Sequence, residues 1–182
     1  PEEVRALGQA HPELVTLYRE GYDPDLDPER LEALPDGTLG REYARFIRDN
    51  GITPLKTLLA MGEPRSLPAY LLRRAYKLHD LMHVVLDTDA SVLGEVRIVA
   101  YSLGQARREA ARAPAMALAV LVMNIGLRRP GEMREAVRRA ARWMEIGERA
   151  LWHVGFRVED HLDRPVAEVR EAMLGGLVRQ AA

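Results

Sequence analysis

No stretch of this chain alternates apolar and polar residues between turn signals, as a half-buried strand must. Its apolar residues recur instead at three- and four-residue spacing, in segments punctuated by proline, glycine and small hydroxyl residues. That pattern restricts the chain to an all-α fold of about seven to nine helices. At 182 residues a single domain spanning 1–182 is the simplest partition, and it is long enough to bury a substantial core.

Residues 1–22 read as one or two short helices, and Asp23 to Pro28 as a connector. A short helix, Glu29 to Leu34, stops at Pro35-Asp36-Gly37. Thr38 is expected to cap Leu39 to Asn50, with Gly51 as the closing residue. Ser66 is expected to cap a long helix ending near Leu86, and Ser91 the next, to about Arg112. Pro114 is expected to open an apolar helix of about fourteen residues. Pro130 starts another, with Val137, Ala140, Ala141, Met144 and Leu151 on one side. Pro165 begins the last, to about Leu174, with Gly175-Gly176 as its stop.

Within the long central helix lies His79-Asp80-Leu81-Met82-His83, and Glu95 follows twelve residues beyond the second histidine. At 3.6 residues per turn His79 and His83 project about 40° apart, and Asp80 about 60° from His83. All three fall within about a quarter of the helix circumference. Leu81, Met82, Val84, Val85 and Leu86 occupy the other directions, so this polar stripe is not a solvated face. Glu95 shares its own face with Val92, Ile98, Val99 and Leu103, where a carboxylate is costly to bury without a compensating charge or metal. The polar positions of two consecutive central helices thus answer one another. The reading is a divalent metal, zinc or iron(II), held by His79, Asp80, His83 and Glu95. The competing reading is a pair of buried hydrogen-bonding histidines, with Glu95 paired to an arginine.

The chain has no cysteine, which excludes disulfides, thiolate catalysis and sulfur-ligated zinc. A net charge of −1 gives no electrostatic reason to expect nucleic acid as a partner. Glu2 and Glu3 open the chain where a secretory or acid-poor transit segment would not have them, so a cytoplasmic location is expected. The longest apolar stretch, Ala113 to Leu127, is shorter than the roughly 20 residues of a membrane span. Its helix from Pro114 is apolar in nearly every direction. Base rates favour a central core helix; an apolar cavity for an acyl or prenyl tail, or a lipid-facing surface, are the alternatives.

Other residues carry less. His11, His153 and His161 have no partner at ligand spacing and read as surface or capping residues. Asp87 is a spare ligand or, more commonly, a helix-ending residue. Arg73, Arg74, Arg107 and Arg108 form two pairs that could meet an anionic ligand, with solvated arginines as the default.

The H-D-x2-H-x11-E pattern resembles the signature of the coenzyme Q biosynthesis protein 4 family. The likeness extends to Leu34-Pro35-Asp36-Gly37-Thr38-Leu39-Gly40-Arg41-Glu42-Tyr43-Ala44-Arg45-Phe46, to Leu93-Gly94-Glu95, to Trp143-Met144-Glu145-Ile146-Gly147 and to Pro165-Val166-Ala167-Glu168-Val169-Arg170. It departs at the loop, where Asp87-Thr88-Asp89-Ala90 stands in place of a turn with glycine and proline. The resemblance implies an all-helical protein of ubiquinone biosynthesis, peripheral to the inner membrane. It implies metal-dependent oxidative decarboxylation of a polyprenylated hydroxybenzoate, with His79, Asp80, His83 and Glu95 as catalytic metal ligands. Implied partners are the polyprenylated precursor or another isoprenoid lipid, the membrane surface, other ubiquinone-biosynthesis proteins and a second copy in a homodimer. The alternative is a non-catalytic prenyl-lipid scaffold that organises the biosynthetic complex. An unrelated metal-dependent phosphohydrolase is a third reading, which lacks the further histidine and aspartate such enzymes carry.

Overall fold

The computed structural model describes residues 2–53, 62–106 and 112–177. Among them are nine α-helices, four short 3-10 turns and no strand, as the spacing of the apolar residues required. Contacts gather the helices into two compact units. One runs to Val85 and takes in His153–Arg170; the other is Leu86–Trp152 with the residues from Glu171 onward.

In the first unit α1 (Glu2–Ala10), α2 (Pro12–Glu20), α3 (Pro28–Leu31) and α4 (Leu39–Asp49) precede the long α5 (Leu67–Val85). Ser66 accepts from the Ala69 N–H at 3.3 Å, as the cap of α5. Along α4 Leu39, Tyr43, Ala44 and Ile47 are buried, one stripe of an amphipathic helix. Thr38 does not cap α4 as expected: its hydroxyl donates backward to the Pro35 carbonyl at 2.7 Å. The free N–H groups of that helix end go elsewhere. Leu39 and Gly40 donate to the Arg164 and Leu162 carbonyls, both at 2.8 Å, and Val166 N–H to the Gly37 carbonyl at 3.0 Å. A Cβ on Gly40 would lie 2.6 Å from a Leu34 methyl and 3.1 Å from the Leu162 carbonyl, so a larger residue would have to displace that leucine and crowd this approach. The segment that caps α4 thus leads directly into α9 (Val166–Leu174).

The second unit contains α6 (Val92–Gln105), α7 (Arg112–Arg128) and α8 (Met133–Arg149). Ser91 accepts from the Gly94 N–H at 3.2 Å and starts α6 as expected. The helix stops at Gln105, earlier than the expected Arg112, because the Gln105 amide turns to the Tyr101 hydroxyl and the Leu151 carbonyl and Ala106 is extended. Arg107 and Arg108 lie outside the described residues. The buried face of α8 is Ala136, Ala140, Trp143, Ile146 and Gly147. That is about one residue's rotation from the expected face: Val137 and Leu151 are exposed. Glycine decides the matter. Gly147 backs onto the Tyr101 carbonyl and Gly104 onto the Met144 carbonyl, so α6 and α8 meet backbone to backbone where only glycine fits.

The apolar helix α7 is not the core helix that base rates favour. Met116, Val120, Met123 and Leu127 are 54–79% exposed and line one side at helical spacing, while Ile125 is buried. No helix among the described residues is long and apolar enough to cross a membrane.

Candidate metal centre

Helix α5 carries its candidate donors among apolar residues of the core. Leu78, Leu81, Met82 and Val85 are fully buried, and His79, Asp80 and His83 project between them. One donor atom from each of these three lies within 4.8 Å of the others. His83 is 1% exposed, while His79 and Asp80 are half-buried. The His79 Nδ1 stands 3.1 Å from an Asp80 oxygen. The His79 and His83 rings meet at 5.2 Å between centroids and 68° between planes. From α4 the Phe46 ring stacks on His83 at 4.8 Å and 21°.

Two imidazoles and a carboxylate form the donor set that zinc and ferrous iron accept. Donors on one tetrahedral ion at about 2.0–2.2 Å stand roughly 3.3–3.6 Å apart, so side-chain rotations of about an ångström would gather these three. The residues fit the group. Glu95 sits in the first turn of α6, half-buried and one turn before the buried Ile98, in the second compact unit.

The acidic residues after α5 have structural tasks. Asp87 adopts φ 55°, ending the helix in a left-handed conformation, which is the commoner of its two expected roles. Asp89 accepts from the Ser91 hydroxyl at 2.6 Å and from its N–H at 3.2 Å, bonds that hold its carboxyl below the usual range.

Sequence reasoning missed three groups around the site. Arg74, expected to be solvated, is fully buried one turn before His79. It donates to both Glu159 oxygens at 2.8 and 3.2 Å and to the carbonyls of Val154 and Phe156. Lys77 reaches the same carboxylate at 3.0 Å and Asp23 at 2.6 Å, and Arg73 also holds Asp23. Burial would raise the Asp23 carboxyl, but hydrogen bonds from Lys77 and Arg73 hold it below its ordinary value. Second, Arg170 donates to the Val85 and Val84 carbonyls at 2.7 and 3.1 Å, capping the end of α5 just past His83. Third, Tyr43 is buried on α4. Burial first, then the charges of Asp80 and Asp25, push its phenol well above the usual range.

His153 is buried rather than at the surface, while His161 is half-buried and stacks on Phe156. His11 occupies the N-cap position of α2 but makes no side-chain cap bond, and it too is buried. Burial, then the charges of Arg74 and His79, push His153 down to about 3. It is therefore neutral when folded and binds a proton when unfolded below about pH 6.5. The stability this provides is complete above that pH and is lost as pH falls toward 3. Between pH 6.5 and 4.5 the loss should be on the order of 2 kcal/mol. In urea titrations His153→Gln should flatten the decline of unfolding free energy across that interval. A variant that tracks the parent slope would remove His153 as its cause.

A family profile described as coenzyme Q (ubiquinone) biosynthesis protein Coq4 matches residues 22–175. The chain is 39% identical over 80 residues to a zebrafish (Danio rerio) protein named ubiquinone biosynthesis protein COQ4 homolog, mitochondrial. It is 42% identical over 71 residues to the protein of the same name from Xenopus tropicalis. These stretches cover 44% and 39% of the chain and only 30% and 25% of those proteins. A crystal structure from Nostoc punctiforme, of a protein provisionally assigned to ubiquinone biosynthesis, superposes with a TM-score of 0.76 at 26% identity. The superposition covers 95% of the chain and 79% of that protein.

Proposed function

Because the chain belongs to the Coq4 family of coenzyme Q (ubiquinone) biosynthesis proteins, we propose that it acts in making ubiquinone. Its step is the metal-dependent oxidative decarboxylation of a polyprenylated hydroxybenzoate. The observation that carries this reading is the group of His79, Asp80 and His83, three convergent donors on one turn of α5. Glu95 is proposed as the fourth donor on sequence spacing alone.

In the reaction the bond from ring to carboxylate breaks and CO₂ leaves. A hydroxyl whose oxygen comes from water takes its place, a two-electron oxidation of the ring balanced by reduction of dioxygen to hydrogen peroxide. Zinc or iron(II) held here would supply Lewis acidity toward the ring carboxylate and, as iron, the redox capacity that dioxygen chemistry requires. The protein's own groups do the rest. His83, buried and stacked, presents its nitrogen in a fixed direction. Asp80, half-exposed, leaves an approach for substrate. Tyr43 stays protonated at neutral pH and offers a hydroxyl hydrogen rather than a charge. The exposed stripe of α7, followed by the exposed Arg128 and Arg129, supports contact with an isoprenoid tail or an anionic lipid surface.

The test uses purified protein with bound metal and co-purified lipid analysed together. One metal per chain, an isoprenoid lipid and CO₂ release from the precursor under dioxygen are expected. His83→Ala should lower metal occupancy and turnover at least ~100-fold, beyond the 10–100-fold typical of groups behind the ligands. Met123→Asp with Leu127→Asp should lower the lipid retained. An inert protein whose folded His83→Ala variant still supports quinone synthesis would establish the scaffold role instead.

A further inference from the structure

We propose that Phe46 is a positioning residue for the metal site, acting through the ring of His83. The role rests on the donor reading above. The bond between the Cβ of a histidine and its ring is a soft sp³–sp² torsion with broad minima, so a rotamer alone does not fix the plane of the imidazole. A metal bond, by contrast, is directed along a nitrogen lone pair in that plane. Something must hold the ring.

At His83 the flat neighbour is Phe46, nearly parallel at 21° with centroids 4.8 Å apart. The His79 ring meets His83 edge-on at 68° and so lays no parallel face against it. Phe46 has a firm mounting. Its helix is anchored by the buried Tyr43, Ala44 and Ile47 on one side, and by the Leu162 and Arg164 carbonyls at its first turn. Tyr43, one turn before Phe46, is the residue whose phenol feels the charge of Asp80. Helix α4 therefore sets one aromatic ring against His83 and another near Asp80. A leucine at position 46 would fill much of the volume but has no face to lay against the imidazole. The role thus requires an aromatic ring.

The discriminating measurement is the zinc affinity of the full chain, by competition with a chromogenic chelator, alongside the ring-proton NMR shifts of His83 in the metal-free protein. Phe46→Leu should weaken zinc binding 10–100-fold and remove the upfield ring-current shift from the His83 protons. Phe46→Tyr should restore both. Ile47→Val, a core truncation on the same helix, should lower the melting temperature and leave zinc affinity unchanged. Should Phe46→Leu not fold, Phe46→Met against Phe46→Tyr makes the same comparison. Folded variants without an aromatic ring that bind zinc as the parent does would overturn the positioning role. A parent chain that binds no zinc would instead overturn the donor reading on which it rests.

Discussion

Arg74→Leu is expected to cost on the order of 4 kcal/mol of unfolding free energy, among the largest effects of any single change in the first unit. Arg74 and Glu159 side chains have no exposed surface, and the guanidinium makes two bonds to the carboxylate, at 2.8 and 3.2 Å. Removing the arginine leaves the carboxylate with Lys77 and a long bond from the Tyr22 hydroxyl, and strips the Val154 and Phe156 carbonyls of their donor. Much of the expected loss is thus the desolvation of groups left behind rather than the worth of the pair. Urea unfolding followed by circular dichroism measures it. A loss under about 1 kcal/mol would mean that water enters the space and solvates Glu159. The exposed bonds of Arg48 to Glu32 and Asp49 should be far less sensitive to the same treatment.

Gly147→Ala should be comparably damaging in the second unit. A Cβ there would lie 2.2 Å from the Tyr101 carbonyl oxygen, and one on Gly104 would lie 2.1 Å from that of Met144. Both obstacles are helix backbone and cannot rotate aside. The cost should therefore exceed the roughly 1–3 kcal/mol of ordinary core overpacking, since α6 and α8 must separate. Gly131→Ala provides the contrast: a Cβ at that site meets nothing within 4 Å, and the conformation is not left-handed. Its melting temperature should equal or slightly exceed the parent's, because alanine restricts the unfolded chain. Near-parental melting of Gly147→Ala would show that the two helices have room to slide.

The helices were legible because their start signals are local. Ser66 and Ser91 are caps in the structure as in the sequence, and His79, Asp80 and His83 converge because one helical turn places them together. What depended on distant partners was not legible. Nothing in Arg73-Arg74 distinguishes the half-buried first arginine from the fully buried second; the difference lies in Glu159, 85 residues away. Thr38 looked like a cap because its true competitors, the Leu162 and Arg164 carbonyls, come from the far end of the chain. The buried face of α8 was misjudged by counting apolar side chains, whereas the absence of side chains at Gly104 and Gly147 sets the packing. The core assignment of α7 failed because hydrophobicity alone does not say which apolar surface finds a protein neighbour.

The pairing of Arg170 with the carbonyls of Val84 and Val85 has a consequence in time. During synthesis the turn bearing His83 leaves the ribosome long before the residue that secures its end, which arrives 85 positions later. Glu159, the counter-charge of Arg74, lies equally far downstream of that arginine. Closing such loops is slow compared with forming a helix, and domains generally fold as units once their sequence is complete. The nascent first unit must therefore wait, with Arg74 still hydrated and the His83 turn frayed, while residues 86–152 of the second unit are made. The turn bearing His83 is secured only in a chain that has reached its last helix.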